Sequence, residues 1–293
     1  MRVPQNGDRG PMPETDDKLM FPEIGIRKSD LVEYYAGMAE ALSAHLYARF
    51  LTLHRFPDGI DADGFYQQRR SDYFPREVHG KTVATADGDA HIEHIHVDSE
   101  QGLRFLAGQA TIEFHGWLSP CSRHERPDKM VFDLDPDGHP FEVLVACARH
   151  LRMALEDRAL TAFVMTTGSR GLHVVTPLDG SADFDAARRL ARGIADALAA
   201  EHDGEYTTEQ RKKARKGRLY LDTSRNAYGQ TSVMPYSLRA RPDAPVATPL
   251  DWDELGRGDM GPRRYHIRNI RRRLARKADP WRNFFAHAAR PGT

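Results

Sequence analysis

Val131-Phe132-Asp133-Leu134-Asp135-Pro136 sits in a largely apolar run from Met130 to Asp135 that reads as a strand stopped by proline. Side chains alternate along a strand. Asp133 and Asp135 therefore share one face, while Phe132 and Leu134 take the other. Two carboxylates about 7 Å apart along the backbone can converge on one or two divalent cations. Without a cation they repel, and burial would raise their proton affinity. An apolar strand that carries two acids points to metal chemistry.

Two other patterns overlap the segment. Asp133-x-Asp135-x-Asp137-Gly138 matches the first half of an EF-hand loop, but the twelfth position is Leu144 where a bidentate Glu is required. An Asp followed two residues on by another Asp also resembles haloacid-dehalogenase-like phosphotransferases, with Asp133 as nucleophile. That alternative stays open from the residues alone, whereas the carboxylates argue against a non-catalytic DNA-end-binding protein.

Working outward, the surrounding elements mix without strict alternation. Ser29 is read as the cap of a helix reaching Arg49. Strands are expected at Thr52–Phe56, Thr111–Trp117, Phe163–Thr166, Leu172–Thr176 and Leu219–Asp222, and a hairpin turn at Ala86–Asp89. Helices are expected at Glu100–Gly108, Phe141–Leu155 and Phe184–Ala200. This pattern favours an α+β fold over a doubly wound sheet.

The 293 residues are enough for one large domain or two small ones. No apolar run approaches the roughly 20 residues of a membrane helix. Residues 1–17 contain no apolar signal core and read as a mobile N-terminal tail. The two cysteines, Cys121 and Cys147, cannot build a disulfide framework, so a reducing cytoplasm is expected. The net charge of +0 conceals an asymmetry: from Glu205 onward there are 20 Lys and Arg against 9 Asp and Glu. Basic charge concentrated in this way keeps a polyanion among the candidate partners.

Thr166-Thr167-Gly168-Ser169-Arg170-Gly171-Leu172-His173 forms a glycine-flanked turn between two strands. Its backbone N–H groups, hydroxyls and guanidinium suit a triphosphate, although by itself it is also an ordinary hairpin turn. No Walker A sequence is present. Arg211 to Arg218 is a basic run feeding the strand that ends in Asp222, and Arg239 and Arg241 follow downstream. In His91-Ile92-Glu93-His94-Ile95-His96, His94 and His96 share a strand face. No closing ligands stand at zinc spacing, so these are read as exposed strand histidines.

Taken in order, Phe132 to Pro136, Thr166 to His173, Leu221-Asp222 and Tyr236-Ser237-Leu238-Arg239 resemble archaeo-eukaryotic primase–polymerases. The resemblance is nearest to the polymerase domain of bacterial ligase D and its stand-alone relatives. It runs from about Lys18 to Phe285 and includes Tyr34-Tyr35, Gly64-Phe65-Tyr66 and Ala244 to Leu250. The resemblance implies a primase–polymerase core of mixed and antiparallel sheets flanked by helices, with residues 18–293 as a single polymerase domain. It implies a DNA repair polymerase that adds nucleotides, ribonucleotides preferred, to 3′ ends at 5′-phosphorylated gaps or double-strand breaks.

Asp133, Asp135 and Asp222 resemble the family's catalytic carboxylates, holding two divalent cations, Mn²⁺ or Mg²⁺. His115, Thr167, Ser169, Arg170, His173, Arg215 and Arg239 resemble contacts to the nucleoside triphosphate. Lys18 and Lys28 resemble a 5′-phosphate clamp, and Phe65-Tyr66 an aromatic pair that stacks on template bases. Thr167 and Tyr66 stand where the family usually has Ser and Phe. Ku and a DNA ligase are the implied partners, in a bacterial or archaeal cytoplasm at the nucleoid. No Lys-x-Asp-Gly motif is present, so no ligase activity is expected from these residues.

Overall fold

The computed structural model describes residues 17–85, 88 and 90–291. Among them the strands are β1 (Leu19–Phe21), β2 (Ile26–Arg27), β3 (Arg49–Arg55), β4 (Phe65–Gln67), β5 (His79–Ala84), β6 (His91–His96), β7 (Thr111–Pro120), β8 (Lys129–Leu134), β9 (Phe163–Thr166), β10 (Leu172–Pro177), β11 (Tyr206–Thr207), β12 (Leu219–Asp222), β13 (Thr231–Val233) and β14 (Thr248–Leu250). The helices are α1 (Lys28–Gly37), α2 (Ala39–Leu46), α3 (Glu100–Gly108), α4 (Phe141–Glu156), α5 (Phe184–Glu201), α6 (Lys212–Arg215) and α7 (Ile270–Arg276). The expected tail lies outside the described residues except for Asp17. The expected turn at 86–89 lies outside them except for Gly88, although β5 and β6 pair as the two arms of a hairpin.

Two six-stranded sheets organise the chain. The first runs β11–β12–β8–β10–β9–β14, antiparallel except for the β11–β12 edge. The second runs β13–β7–β3–β6–β5, with β4 also paired to β3. This is the expected α+β arrangement.

β8 is buried along its whole length because both of its faces are covered. Phe132 and Leu134 join the main core with Leu144, Leu151 and Leu155 of α4 and Ala191, Ile194 and Leu198 of α5. Burial of each large aliphatic chain contributes about 1.5–3 kcal/mol. Val131 turns the other way, into a second cluster with Leu118 of β7 and Val233 of β13. Asp133 follows this second alternation, so it faces the cleft between the two sheets.

Three expectations need correction. The first helix is not capped by Ser29. Arg27 is its N-cap residue, and Ser29 lies in the first turn, donating its N–H and hydroxyl to the Asp17 carboxylate at 2.8 and 2.9 Å. Nor does that helix reach Arg49. It breaks at Met38, after Gly37, whose missing side chain leaves room for the Arg271 guanidinium. Finally, His94 and His96 are not exposed. His94 packs 5.1 Å from both Phe50 and Trp117, and burial lowers its pKa to about 4. His96 is half-buried beside His79. The cause is Trp117 on β7, which covers the sheet face that alternation alone leaves undecided.

Candidate active site

Antiparallel register assembles the acidic corner. Asp133 pairs with His173 of β10 on one side and with Asp222 of β12 on the other. The His173 Nε2 lies 3.4 Å from one Asp133 oxygen and the Arg225 Nε 3.5 Å from the other. Burial alone would raise the Asp133 pKa, but His173 and Arg225 together hold it below its ordinary value. Asp135 lies just beyond the strand end. Desolvation, and then the Asp133 carboxylate, raise its pKa. Two neighbouring acids are thus driven in opposite directions.

Asp222 is in register but differently engaged. Its Oδ1 accepts the Ser224 N–H at 2.7 Å and the Tyr220 hydroxyl at 3.3 Å. Among the described residues, no three His, Cys, Asp or Glu side chains form a group able to hold one metal ion. The backbone register sets Asp222 opposite Asp133, with Asp135 just beyond the strand end.

The turn between β9 and β10 forms the next wall. Thr167 is buried, and its hydroxyl accepts the N–H groups of Ser169 and Gly171 and donates to the Gly171 carbonyl. It shapes the turn from inside. Gly168 has φ +66, and a Cβ there would lie 2.8 Å from the Ala247 nitrogen. A Cβ on Gly171 would collide with the Leu134 carbonyl at the end of β8. Both glycines let the turn press against the acidic corner. Arg239 donates to the Thr167 carbonyl at 2.7 Å, and Arg241 to the Ser169 hydroxyl at 3.2 Å. Ser169, Arg170, Arg241 and Arg263 line an adjoining cavity of about 440 Å³.

The second sheet contributes His115 from β7. Its Nε2 lies 3.0 Å from Glu113, whose other oxygen lies 3.1 Å from Arg239 and accepts the Ala240 N–H at 2.9 Å. Burial would raise the Glu113 pKa, but hydrogen bonds from His115 and His54 and the charge of Arg239 hold it far below the carboxylate range. Burial lowers the His115 pKa, and Arg239 and Arg225 add to that against the pull of Glu113.

The remaining predicted residues are placed as follows. Arg215 is committed elsewhere: it meets Asp137 at 2.7 Å, donates to the Glu209 and Gln210 carbonyls, and stacks 4.2 Å over the Tyr220 ring. It touches the acidic corner only through that ring and its bond to Asp222. The β1–β2 pairing brings Lys18 and Lys28 together, with the Lys28 N–H donating to the Lys18 carbonyl at 2.9 Å. The Lys18 ammonium meets Asp58 at 2.7 Å. Phe65 and Tyr66 on β4 are exposed by 46% and 63%, far too open for core residues. Tyr66 stacks on His54 at 4.1 Å and Phe65 lies 5.3 Å from the Arg55 guanidinium, so the pair is held in place yet open to solvent.

Glu113 and Arg225 were missed as site residues by sequence reasoning. Glu113 ties His54, His115 and Arg239 together, and Arg225 acts on both sheets. The one available signal for Glu113 was its place two residues from His115 on the same strand face.

An antiparallel α+β fold with three aspartate positions and an imidazole–guanidinium wall facing one cleft places the chain in the primase–polymerase class. The chain belongs to the family of LigD primase–polymerase domains, whose family model matches residues 27–281. It is 35% identical over 272 residues to the multifunctional non-homologous end joining DNA repair protein LigD of Mycobacterium tuberculosis, covering 90% of this chain and 35% of that protein. It is 28% identical over 271 residues to the bifunctional non-homologous end joining protein LigD of Bacillus subtilis, covering 92% and 43%. The chain thus spans between about a third and two fifths of these relatives. A solved structure, the polymerase domain from Mycobacterium tuberculosis ligase D in complex with DNA, matches with a TM-score of 0.87 and 31% identity, covering 96% of this chain and 100% of that one.

Proposed function

We propose that the chain is a DNA repair polymerase that adds nucleotides, ribonucleotides preferred, to 3′ ends at 5′-phosphorylated gaps or double-strand breaks. The observation that carries this reading is the register of Asp222 opposite Asp133, with Asp135 two residues further on. Asp133, Asp135 and Asp222 are the residues that would hold two cations, Mn²⁺ or Mg²⁺. Their donors are all carboxylate oxygens, which suits hard divalent ions. Desolvation first, and then the Asp133 charge, raise the Asp135 pKa, a penalty on ionisation that a bound cation would offset. Bound cations supply charge neutralisation at the triphosphate and activation of the 3′-hydroxyl.

The protein groups do the positioning. Ser169, Arg170, His173 and Arg239 hold the triphosphate against the β9–β10 turn, and Thr167 fixes the shape of that turn. His115, oriented by Glu113, offers the sugar a hydrogen-bonding nitrogen. Arg215 steadies Tyr220, and through it the Asp222 carboxylate. Lys18 and Lys28 neutralise the 5′-phosphate of a downstream strand, while Phe65 and Tyr66 stack on template bases. The name of the curated relatives supports a place in non-homologous end joining. Ku and a DNA ligase, in the cytoplasm, are the partners this reading implies.

A phosphotransferase that uses Asp133 as nucleophile is disfavoured, because Asp133 is buried between His173 and Arg225. The test is primer extension on a gapped duplex, with the downstream end 5′-phosphorylated or 5′-hydroxylated, each metal in turn, and ribo- or deoxynucleoside triphosphates. The reading predicts fastest extension with ribonucleotides and a 5′-phosphate. No extension in any arm overturns it.

A further inference from the structure

Beyond the proposed active site, six cations face a second cavity of about 540 Å³: Arg257, Arg264, Arg272, Arg273, Arg276 and Lys277. Its floor is Glu254, wholly buried and already satisfied by Arg273 at 2.8 Å, Tyr265 at 3.0 Å and Lys277 at 3.2 Å. Asp259 holds Arg264 at 2.8 Å, and Asp251 holds Lys277 at 2.5 Å. Three acids therefore face six cations.

The excess resides on α7. Among the described residues, Arg272 and Arg276 have neither hydrogen bond nor ion pair, and both are exposed. They stand at i and i+4 on a helix of seven residues, where like charges repel. Helix stability would be served better by an acid at either position. Arginine forks match phosphate oxygens in geometry as well as charge. The cavity also adjoins the site along the chain. Arg263 lines the cavity shared with Ser169 and Arg170, and the next residue, Arg264, lines this one.

We propose that the α7 cavity binds the phosphodiester backbone of a DNA strand that leaves the active-site cavity across the loop at 262–264. The proposal rests on the polymerase reading, which supplies the DNA. An acidic protein segment is the competing occupant, but it gives no reason for Arg264 to follow directly on Arg263 of the cavity that holds Arg170 and Arg241.

The experiment compares wild type with Arg272→Gln, Arg276→Gln, measuring affinity for a primer–template duplex at several salt concentrations. Each lost phosphate contact removes about 0.9 from the slope of log affinity against log salt, so the double variant should lose about 1.8. Its melting temperature should be unchanged or raised, because a like-charge pair has gone. A control, Arg188→Gln, Arg189→Gln on α5, removes equal charge and should leave the slope unchanged. The proposal is overturned if wild type binds duplex and the double variant keeps its slope, or if the control lowers the slope equally. Wild-type capture of poly-glutamate, lost in the variant with the DNA slope intact, would reassign the cavity and overturn it too. A wild-type chain that binds no DNA sinks the polymerase reading and this proposal together.

Discussion

Arg239 meets Glu113 at 3.1 Å, joining the turn-and-guanidinium wall of one sheet to the β7 strand of the other. The same carboxylate lies 3.0 Å from His115 and 3.4 Å from His54. Glu113→Gln removes the charge while keeping the shape. Folding stability should fall by about 1–3 kcal/mol, since Arg239 loses its ionic partner. Glu113 is the group that raises the His115 pKa, so that pKa should fall further in the variant. Catalytic efficiency with ribonucleotides should drop tenfold or more, equivalent to about 1.4 kcal/mol. Denaturant melts, a histidine titration by NMR and single-nucleotide kinetics check the three parts.

Gly171→Ala tests how closely the turn must approach β8. The new Cβ would strike the Leu134 carbonyl and lie 3.4 Å from the Asp135 Cα. The end of β8 must shift, carrying Asp135 with it. Stability should fall by about 1–3 kcal/mol. Extension should fall by more than the small loss of folded protein explains. Unchanged extension would show that Asp135 tolerates displacement.

Lys18 and Lys28 flank the β1–β2 pair and are joined by a backbone bond, and Lys18 is held by Asp58 in an exposed pair. Such a pair is worth about 0–1 kcal/mol, so a phosphate can compete for the ammonium. Lys18→Ala with Lys28→Ala should erase the preference for 5′-phosphorylated over 5′-hydroxyl gaps, at about 1.5–3 kcal/mol per charge-assisted contact. Asp58→Asn should strengthen that preference. The readout is the ratio of affinities for the two ends at fixed salt. A double variant with the wild-type ratio would place the phosphate pocket elsewhere.

Glu254 gives a pH-dependent contribution to stability. Burial opposes its ionisation, but Arg273, the Asp251 N–H and Tyr265 lower its pKa to about 2, from 4.5. A carboxyl lowered on folding stabilises above its unfolded value and loses that contribution as pH falls through the folded one. Glu254→Gln should therefore cost up to about 3 kcal/mol at pH 7. The gap from wild type should begin to close below about pH 4.5 and be small near pH 2. Denaturation across that range measures it. A gap independent of pH would mean that the loss is one of packing.

Much of the frame is legible in the sequence, for a local reason. Glu100–Gly108, Phe163–Thr166 and Leu219–Asp222 were predicted to the residue, because apolar spacing and stop signals lie within each segment. β13 and β14 were not seen. Each has three residues, and their existence depends on partners far away, as in the pairing of Thr248 with Thr166. The aspartate pair was readable because two acids conflict with an apolar strand. The reach of Arg225 to both sheets was not, since it arises only when the sheets face each other. Thr167 shows the same limit. Its place in the turn is legible, but the bonds of its hydroxyl to Gly171 across that turn are not.

The central claim is that Asp135 serves the chemistry, while the basic and aromatic groups serve the grip on DNA. Asp135→Ala should therefore separate the two on one preparation. Primer extension should fall by at least about a hundredfold, because a carboxylate at a cation site contributes several kcal/mol to the transition state. Gel-shift affinity for the same 5′-phosphorylated gapped duplex should stay close to wild type. Extension at the wild-type rate by a folded Asp135→Ala protein would contradict the account.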